Sequence, residues 1–427
     1  MIRITSHFIL YFCVIIIIIY LIFTAYIRVN MHFWHTQPVF HIYNLKYWIN
    51  PPGFINSEPP ESNKFVNLIN NKLITINSDG NTNNENNTKN NTKNNTNNIE
   101  LRKICNFIKD YYVINKDARY SPSEEDILSY LHCSNHPSFF NIYQEPKIMF
   151  ENGLPLKSCQ QEIIGVTSSR VLNVSLYSKN GKKRISFPSY YVDNLCIKPE
   201  YRKKDIPPQM IQTFYYNVSR TNKKVNAYMF KREGTMNAIV PLVYYDTYCF
   251  DITHFYPEYL LNASMNVIEI GVQQLNLLIT FVKEQTKRFG FECVILPDVS
   301  SVMNLIKLNK LKIYGIIFNG ELIATYIFRV LEMYYSNKKT IECINIISNC
   351  ATPDILIAGF TICIGKLNSG DVKSEILLIE DTAHSNEVID YLNINPLVSC
   401  KFKSSTAFFL YNYACHPISN RKALLIY

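Results

Sequence analysis

No two of the twelve cysteines stand as a Cys-x-x-Cys pair, and none of the nine histidines falls at metal-ligand spacing beside them. The pattern argues against a zinc or dithiol redox site, so no metal is expected and the thiols read as buried and free in a reducing compartment. A long basic arm is also missing. The 43 Lys and Arg against 34 Asp and Glu leave a net charge of +9, but the cations are scattered along the chain. Binding of nucleic acid is therefore not expected, whereas small anionic ligands fit.

What is present, at 427 residues, is enough chain for two ordinary domains or one large two-part domain, with an apolar fraction of 47% to build a core. Residues 8–27, FILYFCVIIIIIYLIFTAYI, carry no charge and match the ~20 residues that a membrane-spanning helix needs. Two readings stand. The stretch is a transmembrane or signal-anchor helix, or it precedes the true start, since Met31 opens the segment MHFWHTQPV and Arg3 against Arg28 gives little charge asymmetry to orient a span.

From 76 to 98 the sequence INSDGNTNNENNTKNNTKNNTNN is too polar to bury anything and reads as a disordered surface insertion. Its Asn-x-Thr triplets, such as NNT at 86–88, are taken as products of compositional bias. Helical patterns follow at IELRKICNFIKDYYV and at SPSEEDILSYLHC, the latter with Ser121 as its expected cap. Two alternating runs, EIIGVTSSRVLNVSLY and KRISFPSYYVDNLCI, flank SKNGK, and Asn-Gly between such runs predicts a hairpin. A helix is expected from about Pro207 to Arg220, then a short strand VNAYMF. The second half repeats this grammar: KIYGIIF, Asn319-Gly320, ELIATYIFRVLEMYY, the strand IECINIIS, and a helix in PDILIAGFTICIGKL. Two units of hairpin, strand and helix imply a pseudo-duplicated mixed α/β sheet with helices on its faces. TAFFLYNY and ALLIY close the chain as strands, which places the last residue inside the fold.

VDNLCIKPEYRKKDIPP at 192–208 joins an apolar strand, a basic knot and a proline-opened helix start. Bare amides at a helix start plus Arg202, Lys203 and Lys204 make a phosphate site, and the strand beside it can offer backbone N–H groups to a carbonyl. That suits a ligand with a pyrophosphate at one end and an acyl group at the other, such as an acyl-coenzyme A. Taken alone, a solvated basic loop explains the same residues.

A second segment changes the weighing. HFWHTQPVF at 32–40, taken with VDNLCIKPEYR at 192–202, RYSPSEEDILSYL at 119–131 and FFLYNYACHP at 408–417 followed by KALLIY, resembles the glycylpeptide N-myristoyltransferase family, and the segments occur in family order. The resemblance implies two acetyltransferase-like halves, related by a pseudo-two-fold, forming one saddle-shaped mixed sheet: an acyl-CoA-binding half over 31–245, with 76–98 as an insertion, and a peptide-binding half over 246–427. It implies a monomer that takes myristoyl-CoA as co-substrate and acts on proteins with an N-terminal glycine, on the cytosolic side of any membrane that residues 8–27 enter. Phe33 and Trp34 would help hold coenzyme A, together with Leu195, Cys196, Ile197, Arg202, Lys203, Lys204, Asp205, Ile206 and Pro207. The backbone N–H groups of Asn194 and Leu195 would form an oxyanion hole, and the terminal carboxylate of Tyr427 would be the base.

Departures from the family pattern are concentrated on the acceptor side. Asp193 stands where the family has Asn, and it is read either as a carboxylate that holds the incoming ammonium by a charge-assisted bond or as a drifted surface residue. Tyr228, Met229, Phe230 and Lys231 replace a Tyr-Thr-Ala-Gly stretch; Tyr244 is kept but Asp246 replaces a His; and KFKSSTA at 401–407 lacks the family's Gly-Asp-Gly. Asp193, Tyr228 and Tyr244 are the acceptor-binding residues this alignment implies. The departures leave two other readings open: a degenerate, membrane-tethered binding protein that keeps the acyl-CoA fold without turnover, and an acyl-CoA transferase with a different acceptor.

Overall fold

The computed structural model describes residues 2–76, 82–83, 93–113, 117–151, 154–177, 184–234, 238–255, 261–370 and 372–427. Most of the Asn-rich stretch and the Asn180-Gly181 turn lie outside these residues. The principal elements are the helix α1 (Ile2–Asn30), β1 (Asn71–Ile76), α2 (Lys93–Tyr111), β2 (Ala118–Tyr120), α3 (Glu124–Leu128), β3 (Ser138–Glu151), β4 (Leu154–Tyr177), β5 (Arg184–Ile197), α4 (Ile206–Thr221), β6 (Ala227–Glu233) and β7 (Val243–Asp251). The second half supplies β8 (Met265–Glu269), α5 (Leu275–Gln285), β9 (Cys293–Leu296), α6 (Val299–Lys307), β10 (Leu311–Phe318), β11 (Glu321–Tyr335), β12 (Lys338–Ser348), α7 (Pro353–Ser369), β13 (Ile376–Glu380), α8 (Ser385–Ile394), β14 (Ser399–Tyr411) and β15 (Ala423–Leu425).

The duplication expected from the sequence is explicit in the strand pairing. In the first half β3, β4 and β5 form an antiparallel meander, α4 crosses over, and β6 returns parallel to β5 with Ser189 opposite Ala227. In the second half β10, β11 and β12 do the same, α7 crosses over, and β13 lies parallel to β12 with Thr340 opposite Ile376. The halves then trade a strand. β7, which follows the first unit, pairs antiparallel with β13 of the second; β14, which follows the second unit, pairs antiparallel with β6 of the first. Since β7 and β14 also pair with each other, one continuous sheet results, in the order β1, β3, β4, β5, β6, β14, β7, β13, β12, β11, β10, β8. Its pseudo-two-fold passes between β14 and β7.

Local chemistry explains the frame. The hairpin β10–β11 closes on Asn319 and Gly320 with φ of 49° and 82°, the left-handed pair that a two-residue turn matched to strand twist requires. The helix α4 lays a stripe of Ile206, Met210, Phe214 and Val218, at four-residue spacing, against the sheet. It approaches so closely at Gly165 of β4 that a Cβ there would stand 2.6 Å from the Met210 sulfur. Gly359 of α7 plays the matching part in the second half, where a Cβ would meet the Tyr326 hydroxyl at 2.4 Å and Ile316 at 2.5 Å.

Two expected details are corrected. Ser123, not Ser121, caps α3: its hydroxyl accepts from the Asp126 N–H while the Asp126 carboxylate accepts from the Ser123 N–H, a reciprocal capping box that needs the acidic residue three positions on. The helix α4 starts at Ile206, with Pro207 one position inside, where its missing N–H still costs no intrahelical bond. The thiols largely follow expectation: Cys105, Cys196, Cys249, Cys293, Cys343 and Cys363 are free and buried, although Cys13 and Cys400 are exposed.

The apolar leader forms the continuous helix α1, of which Leu10–Asn30 has a mean hydropathy of 2.7 and is long enough to cross a membrane. Leu10 to Ile19 are exposed, whereas the last turns dock on the body. There the Tyr20 hydroxyl donates to the Tyr43 carbonyl at 2.9 Å, and Ile27 packs with Tyr43 and Ala238.

Candidate active site

A cavity of about 1060 Å³ opens where the two halves meet. Its walls come from both: Arg170 of β4, Asp193, Asn194 and Leu195 of β5 and Lys231 of β6 on one side, Arg329 of β11, Glu342 of β12 and Leu378 of β13 on the other. Among the described residues, no group of three or more His, Cys, Asp or Glu is placed to hold a metal ion.

The strand β5 changes its pairing at this wall. Cys196 stays opposite Val166 and Asp193 opposite Ser168, so two residues of β5, Asn194 and Leu195, face the single Thr167 of β4. Such a bulge takes backbone amides out of the ladder and turns them toward whatever lies beside the strand. Asn194 adopts a φ of 54°, a left-handed conformation that Asn tolerates better than most residues. The local hydrogen bonds hold it there. Its side-chain amide donates to the Ser168 hydroxyl at 2.8 Å, and the Thr167 and Ser168 hydroxyls both donate to the Asp193 carbonyl. Its own N–H donates to the Asp193 carboxylate at 2.8 Å. Of the two amides that the sequence points to, Leu195 therefore lacks a cross-strand partner and Asn194 is capped by its neighbour.

The floor carries a balanced set of buried charges. Lys231 donates to Glu380 at 2.7 Å and to the Tyr427 hydroxyl at 2.8 Å, with Glu342 at 3.4 Å. The Tyr427 hydroxyl donates in turn to Glu380 at 2.5 Å, and Arg329 donates through Nε to the second Glu342 oxygen at 2.7 Å. Each titration follows from these neighbours. Burial opposes the Lys231 charge, but Glu380, Glu342 and the surrounding groups outweigh it and hold the ammonium well above its ordinary range. Glu342 is likewise buried, yet Arg329 and Lys231 bring its carboxyl below the usual value. Glu380 goes the other way: burial lifts it, Lys231 only partly offsets this, and Glu342 adds to the rise. Sequence reasoning did not assign this quartet a role. Its signal was a charge set into or closing an apolar run: Arg329 in IFRVL and Glu342 in TIECI stand alone, whereas Lys231 opens the charged end of YMFKRE and Glu380 that of LLIED.

The remaining sequence-derived residues fall in three places. Tyr427 is 2% exposed, at the end of a chain whose β15 runs parallel to β9, and its ring lies 4.7 Å from the Arg329 guanidinium. Arg202, Lys203, Lys204 and Asp205 are exposed at the β5–α4 junction, with Ile206 and Pro207 forming the first turn of α4 beneath them. Arg202 donates back to the Ile197 carbonyl at 3.2 Å and Lys204 lies 4.1 Å over the Tyr201 ring. Phe33 is buried against Phe65, and Trp34 stacks on Phe230 at 5.7 Å. Cys196 and Ile197 point into the core; burial pushes the Cys196 thiol up to about 12, which excludes it as a nucleophile at neutral pH.

Two acceptor-side residues are not brought to the cavity. Tyr228 is 3% exposed inside an aromatic cluster with Tyr190, Tyr215 and Tyr411. Tyr244 is exposed and donates to Ser405 at 2.8 Å; on a strand that turns Thr247 and Cys249 to the cavity, its odd offset puts it on the opposite face.

No family model matches the chain, and no curated protein matches it in sequence. Solved structures do match in fold. A Saccharomyces cerevisiae N-myristoyltransferase with bound myristoyl-CoA superposes with a TM-score of 0.62 at 13% identity, covering 92% of this chain and 90% of that one. A second such structure gives 0.59 at 14% identity over 91% and 94%, and one that also holds inhibitors gives 0.60 at 13% over 92% and 95%. The chain thus has the N-myristoyltransferase fold over nearly its whole length.

Proposed function

We propose that this chain is a protein N-myristoyltransferase, moving the acyl group of myristoyl-CoA onto the amine of an N-terminal glycine. The observation that carries the reading is the bulge at Asn194 and Leu195, which takes both residues out of the strand register beside a charge-lined cavity at the centre of that fold.

The parts have distinct tasks. Arg202, Lys203 and Lys204, with the amides at the start of α4, take the phosphates of coenzyme A, and Phe33 and Trp34 support the nucleotide end. The thioester lies along Leu195 to Ile197, with its oxygen on the Leu195 N–H; the Asn194 N–H joins once the Asp193 carboxylate gives up that bond for the acceptor's ammonium. The terminal carboxylate takes one ammonium proton, the freed nitrogen lone pair forms a bond to the thioester carbon, and the tetrahedral adduct collapses by breaking the C–S bond; the second nitrogen proton passes to the departing sulfur, so that coenzyme A leaves as the thiol and the amide is neutral. Asp193 and the Lys231–Tyr427–Glu380 chain hold the acceptor and the chain end in place.

The test is transfer of labelled myristate from myristoyl-CoA to a Gly-starting peptide against the same peptide starting with Ala. Transfer to the first alone is expected. Replacing Arg202, Lys203 and Lys204 together by Ala should raise the KM for myristoyl-CoA about 10-fold, at roughly 0.5 kcal/mol per exposed contact, with the difference shrinking in high salt. Binding of myristoyl-CoA without transfer to any peptide would point instead to a binder.

We further propose that α1 is a membrane anchor that holds the body on the cytosolic face, because its outer turns are apolar and exposed while its last turns are docked. The full chain should remain with membranes after alkaline carbonate extraction and a chain starting at Met31 should not. Release of both defeats the anchor.

A further inference from the structure

Arg170 is a buried charged group in the cavity to which the reading above gives no task. It stands on β4 directly opposite Tyr191 of β5 and is only 7% exposed. Its guanidinium lies over two rings, Tyr130 at 5.0 Å and Tyr191 at 4.9 Å. Among the described residues the carboxylate paired with it is Asp193, whose Oδ2 is 3.7 Å from Nη1, beyond hydrogen-bond range. Among the described residues, its Nη2 is buried without a hydrogen-bond partner.

That is a costly arrangement for a group with five N–H donors. Two aromatic faces stabilise the cation but satisfy none of its N–H groups, and a buried donor left unsatisfied is penalised, the more so when it is charged. A purely structural Arg would normally turn its edge onto a carbonyl or carboxylate. Here the rings fix the plane, and the Nη1 edge is left facing a carboxylate across a gap. The gap has a definite size: an α-amine nitrogen and the carbonyl oxygen of the same residue lie about 3–3.5 Å apart, as follows from the bond lengths between them.

We propose that Arg170 and Asp193 form a clamp for the first residue of the acceptor, with Asp193 taking its α-ammonium and Arg170 the oxygen of its carbonyl. The clamp rests on the reading of this cavity as the acceptor site and adds what that site selects: amines with a carbonyl two bonds away, and hence chain-terminal α-amines over lysine side chains. A cavity of about 1060 Å³ is far larger than one glycine needs, which favours a peptide over the free amino acid.

The experiment is calorimetry on the full chain saturated with a non-hydrolysable thioether analogue of myristoyl-CoA. The titrants are a Gly-starting hexapeptide, the same peptide with its first carbonyl reduced to methylene, and free glycine. The reduced peptide should bind about 10–100-fold more weakly than the parent, the range of one charge-assisted hydrogen bond. In Arg170→Gln the two peptides should bind alike, and Arg170→Lys should keep only part of the difference. Because the main comparison uses the wild-type chain, it does not depend on a variant folding. Equal binding of the two peptides to wild type overturns the clamp alone; no binding of either overturns the clamp and the acceptor site together. Free glycine binding more tightly than the peptide keeps the charge pairing but overturns the peptide as its occupant.

Discussion

Replacing Lys231 with methionine is expected to cost the folded state about 3–5 kcal/mol, the range for removing one partner of a buried ion pair. The side chain keeps its length, so packing changes little; what is lost is the cation between Glu380 and Glu342. Arg329 still serves Glu342, but Glu380 keeps only neutral donors such as the Tyr427 hydroxyl. Glu380 is already held above the ordinary carboxyl range, by burial first, and losing Lys231 moves it further up. A carboxyl raised in this way carries a proton in the folded chain at pH values where the unfolded chain has released it. Its contribution is therefore complete below the unfolded value, about 4.3 for Glu, and is lost as pH rises through the folded value. Melts followed by circular dichroism should then show the gap between wild type and Lys231→Met as smallest near about pH 5 and largest near about pH 8. The double variant Lys231→Met with Glu380→Gln should recover most of the stability, since both charges are gone. A gap that does not change with pH, or a double variant as unstable as the single one, would show that the quartet is not held together by charge.

The frame was legible because its elements obey short-range rules. The alternating runs became β4, β5, β10 and β11, and the proline-opened stripe became α4. The strand exchange was not legible. TAFFLYNY reads as a strand in isolation, but nothing local says that Phe408 pairs with Lys231 of the other half on one side and Val243 on the other. The site divides in the same way. Asp193, Asn194 and Leu195 are consecutive, and one bulge delivers them all to the cavity. The charge quartet is drawn from four strands of both halves, up to 149 residues apart for Lys231 and Glu380, so only the folded sheet assembles it. Tyr228 failed as a cavity residue for a reason periodicity could have given: it is separated by three positions from Lys231 on one strand, so the two side chains leave opposite faces.

Converting the terminal carboxylate of Tyr427 to a carboxamide, by ligating a synthetic C-terminal segment, is expected to lower kcat for acyl transfer about 10²–10⁴-fold, the usual worth of a general base. The acceptor's α-ammonium, with a pKa near ~7.7–8.0, must lose a proton before it can attack, and three of the four carboxylates that line the cavity are committed. Asp126 accepts from Lys310 and from Ser123; although burial opposes its charge, these bonds hold it below the usual range. Glu342 is bound by Arg329 and Lys231, and Asp193 is given to the ammonium itself. The carboxamide keeps the Tyr427 ring and its bonds to Lys231 and Glu380, so stability and myristoyl-CoA affinity should stay near wild type while turnover falls. Tyr427→Phe should do the reverse, loosening the quartet but keeping the base. A carboxamide variant that turns over within about threefold of wild type, far inside the range for a lost base, removes the chain end from the chemistry and leaves Asp193 to serve as both anchor and proton acceptor.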